Sequence, residues 1–170
     1  MFLPTRGRHQ RELATRGVAK RADPQYRWMV ALHAGVLLGA GFEVVFLRRP
    51  FLPLLGVIAG IFFLLATALR WWVIRTLGAH WNVEVMASGG LGVVTRGPFR
   101  WIRHPNYLGV FVELVALPLT HTAWITALAA AAGNALVLRH RLRIEEAVLD
   151  ANPVYRREMG GKPRFLPKLF

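Results

Sequence analysis

Four apolar stretches, separated by short polar breaks, dominate the hydropathy pattern of the chain. The first, residues 28–47 (WMVALHAGVLLGAGFEVVFL), has the length needed to cross a hydrocarbon layer of roughly 30 Å, which takes about 20 residues. Arg48, Arg49 and Pro50 end it. A second span, FLPLLGVIAGIFFLLATALRWWV, covers residues 51–73, and Arg70, Trp71, Trp72 and Arg75 cluster at its end as an aromatic and basic belt suited to a membrane interface. A polar connection runs from Thr76 to Pro105. Within it, VEVMASGGLGVVT suits an extended pair about Ser88-Gly89-Gly90. The third and fourth apolar runs, residues 107–119 and 123–138, are divided by Pro118 and the cluster Thr120-His121-Thr122. Each is short for an independent span, so together they predict a tight helical hairpin passing through or nearly through the bilayer. From Arg139 the pattern turns mixed and helical (RHRLRIEEAVLDA) and stops near Asn152-Pro153. The expectation is an all-α integral membrane protein of about four transmembrane helices, the last two a short hairpin, followed by a C-terminal helix on the cytoplasmic side. A basic segment, residues 1–27, precedes a single membrane-embedded domain, residues 28–170.

Charge sharpens this picture. The chain has 22 Lys+Arg against 9 Asp+Glu, net +13, and 54% hydrophobic residues. A basic balance alone fits nucleic acid or an anionic membrane; joined to long apolar runs it points to the membrane and away from nucleic acid. Seven basic residues precede the first span, Arg75, Arg96, Arg100 and Arg103 lie between the second and third, and eight follow the fourth. Only Arg48 and Arg49 face the other way, which places both termini and the middle connection on the cytoplasmic side. Residues 1–27 lack the apolar core of a signal peptide and predict an interfacial or partly ordered helix. No cysteine is present, which removes disulfides, cysteine-based zinc sites and thiol nucleophiles. No spacing supports a metal site. Small residues four apart, Ala31, Gly35 and Gly39, then Gly56 and Gly60, suit close helix approach, within the monomer or between two copies.

The polar chemistry concentrates in two places. One is RHPNY, residues 103–107. His104 precedes a proline and is biased away from helix, while Pro105 suits a first helical turn. His104 therefore stands at the mouth of the third helix, where free N–H groups and the positive end of the dipole face a ligand. Asn106, Gly109 and Glu113 share one face of that helix. Glu113 either lines a site or neutralises Arg100 or Arg103. The other place is RLRIEEAVLD. Helical spacing sets Leu138, Leu142, Glu145 and Leu149 on one stripe, so Glu145 interrupts an apolar face and calls for a cationic partner. Arg139, Arg143, Glu146 and Asp150 form a charged stripe beside it, with surface ion pairs Arg141–Glu145 and Arg143–Glu146 as the plain account. In the first span, Glu43 lies close to the far interface and reads as exposed to headgroups, and His33 as solvated at the near end.

The run GPFRWIRHPNYLG, followed some forty residues on by RIEE and then a tyrosine and a basic, proline-bearing tail, resembles the isoprenylcysteine carboxyl methyltransferase family of integral-membrane enzymes that use S-adenosylmethionine. The resemblance spans roughly residues 65–167. It implies that His104, Pro105, Tyr107 and Leu108 line the cofactor pocket, that Arg103 helps with the cofactor carboxylate, and that Glu145 holds its ammonium group as one of an acidic pair with Glu146. It also implies that Arg143 faces the anionic group of the substrate, so that Arg143, Glu146 and His104 are the candidate catalytic residues. Phe99 stands where the family often has tyrosine. The segment ALRWWVIRTLGAHWN is similar to a bacterial branch found beside type III polyketide synthases.

The expected partner is a lipophilic small molecule or prenylated substrate drawn from membrane lipid. A carboxylate acceptor is already ionised near neutral pH, whereas a phenol needs a base, for which His104 is available, or a cation to stabilise its anion. Three rival readings share parts of the pattern. They are phospholipid N-methylation, an NADPH-dependent sterol-type reductase, and a non-catalytic protein whose basic ends bind anionic lipid.

Overall fold

A computed structural model of the chain describes residues 19–20, 26–78, 86–87 and 93–166. Five helices carry the fold: α1 (Tyr26–Phe46), α2 (Pro53–Leu77), α3 (Pro105–Leu119), α4 (Trp124–Leu149) and the short α5 (Pro153–Met159). A 3₁₀ turn, Gly97–Arg100, precedes α3. A two-residue antiparallel ladder joins β1 (Ala19–Lys20) to β2 (Met86–Ala87).

Proline sets most of the starts. Pro53, Pro105 and Pro153 each occupy the first turn of a helix, where the missing N–H costs nothing. α1 stops where Arg48 takes a left-handed backbone at φ 47°. α2 stops at Gly78, φ 52°, whose N–H bonds back to the Ile74 carbonyl. At 21 and 25 residues, α1 and α2 are roughly 31 and 37 Å long, enough to cross hydrocarbon. Their large side chains face outward: Leu37, Leu38, Val45, Leu54, Leu64 and Leu65 are all more than half exposed. An apolar exterior over two such helices marks an integral membrane protein.

The main departure from the sequence pattern has a simple cause. The fourth apolar run and the charged segment after it form one continuous helix, because Arg, Leu, Ile and Glu all propagate a helix well. The change at Arg139 marks a change of surroundings along α4 and not an end. α3, at 15 residues, is the short member of the expected hairpin. Met86–Ala87 is extended as expected and pairs with Ala19–Lys20; the expected connection at Ser88-Gly89-Gly90 lies outside the described residues. The predicted N-terminal helix lies outside the described residues, apart from Ala19–Lys20.

α2 and α3 make the closest approach. A Cβ at Gly109 would come within 2.6 Å of Arg70 Cγ and 3.3 Å of the Ala66 carbonyl. Across this seam Arg70 Nη1 meets Glu113 Oε2 at 2.5 Å, and Thr67 donates to Glu113 Oε1 at 2.8 Å. Glu113 is therefore neutralised by Arg70, not by Arg100 or Arg103, and Arg70 turns away from the interfacial belt to do it. α1 packs on α4 with Gly39 against Thr126 and Leu32 over Gly133. Val36, Leu114 and Ala130 meet between α1, α3 and α4. Of the small-residue stripes, Gly39 and Gly56 are used inside the monomer, whereas Gly35 and Gly60 face open space.

Glu43 corrects an expectation outright. It is 3% exposed, not solvated among headgroups. Its carboxylate accepts from the backbone N–H groups of Ile125 (3.1 Å) and Thr126 (2.7 Å) and from the Thr126 hydroxyl, and pairs with Arg49. The first turn of α4, which has no side-chain cap of its own, is thus capped by a carboxylate from α1. Thr122 closes the same end of the bundle by donating to the Pro50 carbonyl at 2.6 Å.

Candidate active site

The two polar motifs meet. α3 presents His104 and Tyr107 at its N-terminal end, and the charged half of α4 presents Arg141, Glu145 and Glu146 opposite them. His104 is 4% exposed, directly ahead of the fully buried Pro105. Its Nε2 lies 3.2 Å from Glu146 Oε1. Tyr107 donates its hydroxyl proton to Glu145 Oε2 and accepts from Arg141 Nε at 2.7 Å. The His104 and Tyr107 rings stack with centroids 5.6 Å apart, and the Arg141 guanidinium lies 5.6 Å from the Tyr107 ring centroid.

The C-terminal tail completes the cluster. After α5, whose start is capped by Asn152 Oδ1 accepting from Val154 N, the chain runs back along the loop before α3. The N–H groups of Arg103 and His104 donate to the carbonyls of Pro163 and Arg164, each at 2.9 Å. Lys162 donates to the Phe99 carbonyl. Arg164 then forms a two-pronged pair with Glu146, 2.8 Å from Nε and 2.6 Å from Nη2, and the Phe165 ring approaches His104.

Electrostatics divide the acidic pair. Glu146 is 8% exposed and ringed by Arg164, His104 and, at 3.5 Å, Arg103. Burial alone would push its carboxyl up, but the hydrogen bonds from Arg164 and His104 and the charges of Arg103 and Arg164 hold it below the usual carboxylate range. Burial holds the His104 imidazole below its ordinary value, and the Glu145 and Glu146 charges only partly oppose this. Burial also pushes Tyr155 up to about 12. An ionised Glu146 can only accept, so neutral His104 carries its proton on Nε2 and leaves Nδ1 as the basic nitrogen.

The predicted residues therefore converge, with two rearrangements. Arg103, His104, Pro105, Tyr107, Glu145 and Glu146 share one neighbourhood; Leu108 follows in the first turn of α3, its N–H bonded to the His104 carbonyl at 3.3 Å. Glu146, assigned by spacing to a surface stripe, is the more buried carboxylate of the pair and bonds to His104 and Arg164 instead of Arg143. Arg143 is exposed, with no ion pair or hydrogen bond among the described residues. Arg141 is the buried cation at this site, 5% exposed. Arg141 and Arg164 were missed as site residues. The first had a signal, since it lies four residues before Glu145 on the same face; the second, in a basic tail, had none.

The donor set suits a zwitterionic cofactor. Around Glu145 it offers a carboxylate and a phenol; around His104 it offers guanidinium and backbone N–H groups. At the mouth of α3 two buried polar atoms, Arg103 Nε and Asn106 Oδ1, have no hydrogen-bond partner among the described residues, a donor and an acceptor three residues apart.

Comparison with known proteins points to a family. The family model described as the isoprenylcysteine carboxyl methyltransferase (ICMT) family matches residues 58–151, more than half of the chain. YpbQ of Bacillus subtilis (strain 168), an uncharacterized protein, is 29% identical over 143 residues, covering 84% of each chain. The solved structure of a eukaryotic intramembrane Ras methyltransferase, isoprenylcysteine carboxyl methyltransferase, superposes with a TM-score of 0.60 at 23% identity. That match covers 81% of this chain and 51% of the other, so the chain spans about half the length of that enzyme.

Proposed function

The chain belongs to the isoprenylcysteine carboxyl methyltransferase family, and on that premise we propose that it transfers a methyl group from S-adenosylmethionine to an oxygen, carboxylate or phenolate, of a lipophilic acceptor held in the membrane. The observation that carries this reading is the meeting of His104 and Tyr107 with Glu145 and Glu146, from segments about forty residues apart, at one end of the bundle.

S-adenosylmethionine, when bound, supplies an electrophilic methyl group on a sulfonium. The residues present can hold it in a defined sense. Glu146 is already satisfied by Arg164 and His104, so Glu145 is the carboxylate for the ammonium group. Arg103, with its unpaired Nε, and the first N–H groups of α3 serve the cofactor carboxylate. Pro105 and Leu108 form the wall next to it. On the acceptor side Arg141 is the nearest buried cation, and it takes the role that the resemblance implied for Arg143. A guanidinium there favours an anionic oxygen and disfavours an amine, which argues against phospholipid N-methylation. If the acceptor is a phenol, His104 Nδ1 is the base that takes its proton. The protein contributes orientation and exclusion of water from the reacting pair.

Titration calorimetry on the detergent-purified protein tests this. S-adenosylhomocysteine is expected to bind, and Glu145→Gln to weaken it by about tenfold or more, the loss of one charged hydrogen-bonded contact. Binding of NADPH in its place, or of neither, would overturn the reading. Mass spectrometry of lipids from cells with and without the gene then identifies the acceptor, as a species lighter by one methylene when the gene is absent.

A further inference from the structure

Beside the site, on the lipid side, the structure carries a second cluster that the proposed chemistry does not use. Trp71 and Trp72 at the end of α2 and Trp101 after the 3₁₀ turn are each about half exposed, at 52%, 46% and 47%. Trp72 and Trp101 meet edge to face with centroids 5.9 Å apart. Arg75 sits over Trp71 at 5.9 Å and Arg100 over Trp101 at 5.4 Å. Both arginines are exposed, and neither pairs with a carboxylate among the described residues. Two uncompensated guanidiniums flanking an indole platform call for an anion whose carrier also has an apolar body.

The backbone makes the platform one unit. Gly97, at φ 59°, lets the 3₁₀ turn lie against α2 so closely that a Cβ there would meet Thr76 Oγ1 at 2.5 Å. Below the platform, Ile61 and Leu65 continue the Trp72 face of α2 and are 52% and 61% exposed. From Ile61 to Trp72 is roughly 16 Å of helix, about half of a 30 Å hydrocarbon layer and so the depth of one leaflet. Charge at the rim, indoles at the interface and a leaflet-deep apolar stripe beneath describe a phospholipid with an anionic headgroup.

We propose that Arg75 and Arg100, with Trp71, Trp72 and Trp101, form a binding site for an anionic phospholipid. The bound lipid ties the 3₁₀ turn to α2 and so steadies the segment that carries His104, three residues beyond Trp101. This site is independent of the methyltransferase reading and can be tested without cofactor.

The full-length protein in neutral detergent is titrated with dioleoylphosphatidylglycerol, with dioleoylphosphatidylcholine or with inorganic phosphate, reading thermal stability and, by native mass spectrometry, lipids retained. The phosphatidylglycerol arm is expected to raise the melting temperature and leave bound lipid on the wild-type protein. Arg75→Gln/Arg100→Gln loses both effects, while Arg156→Gln/Arg157→Gln, which removes the same charge from exposed positions of α5, keeps them. The single variants serve if the double variant does not fold. Equal stabilisation by phosphatidylcholine, equal stabilisation by phosphate, or equal loss in the α5 variant would each overturn the proposal, as would no response to phosphatidylglycerol.

Discussion

At the scale of single residues, the site turns on which of two adjacent carboxylates, and which of two nearby arginines, faces inward. Neighbours on a helix differ by about 100° in direction. Leu138, Leu142, Glu145 and Leu149 form one plausible buried stripe, and Leu142 with Glu146 forms another. The apolar pattern alone does not separate them, because what decides is the position of Arg164 on a tail eighteen residues further on. The presence of the acidic pair and the convergence of RHPNY on it were legible; the division of labour was not. The same geometry separates the arginines. Arg141→Gln should lower kcat by about 10²–10³-fold, the usual cost of removing one pre-oriented charge-stabilising donor, and leave S-adenosylhomocysteine affinity near wild type. Arg143→Gln, altering an exposed side chain, should leave both nearly unchanged. A reversed pattern in steady-state kinetics and calorimetry would return the acceptor role to Arg143. Proton linkage belongs here too. Glu146 and His104 both titrate lower in the folded protein than their ordinary values of 4.5 and 6.5. Each therefore adds stability that is complete above its ordinary value and is lost as pH falls through the lowered one. Thermal melts should be flat from pH 8 to 7 and decline below about 6.5 as His104 is forced to charge, then more steeply below about 4.5. Glu146→Gln should remove the lower of the two steps.

At the scale of elements, the apolar runs announced α1 and α2 to within four residues at each end, since a span of hydrocarbon and the prolines at Pro50 and Pro53 leave little choice. They failed at α4, where the sequence changes character at Arg139 and the backbone does not. They also failed at Glu43. A carboxylate near the end of α1 looks solvated until α4 is known to begin beside it, and nothing local to either helix says so. Helix contacts in lipid depend on such shape and polar matches more than on apolar burial, and the α2–α3 seam is the clearest example. Gly109 faces Arg70 and Ala66 with no room for a methyl group, and the Glu113–Arg70 pair lies one turn further along α3. Gly109→Ala should force the helices apart and destabilise the protein by about 1–3 kcal/mol, as overpacking does. Gly35→Ala, where the added Cβ meets nothing, serves as the control. Comparable losses for the two in reversible denaturant titrations would show that α2 and α3 are less closely packed than the seam indicates.

At the scale of the whole molecule, the arrangement is a bundle with two unlike ends. One end is sealed: Glu43 caps α4, Thr122 ties the two interhelical turns together, and Arg49 neutralises the carboxylate. The other end gathers His104, Arg141, Glu145, Glu146 and the returning tail, with Arg103 and Arg164 among them. That asymmetry of Lys and Arg argues that the polar end, α5 and the tail face the cytoplasm, while the turn between α1 and α2 faces outward. The chain's own composition makes the test clean, because it contains no cysteine. A single cysteine at Leu52, about half exposed in the sealed-end turn, should react with a membrane-impermeant maleimide on intact cells. One at Arg157, exposed on α5, should react only after permeabilisation. Labelling in the opposite order would invert the molecule and place the site on the far face, where a soluble cytoplasmic cofactor does not reach it. The methyl-transfer reading and the orientation therefore stand together: the side chains proposed to hold the cofactor, and α5 beside them, must lie on the face that the second cysteine reports.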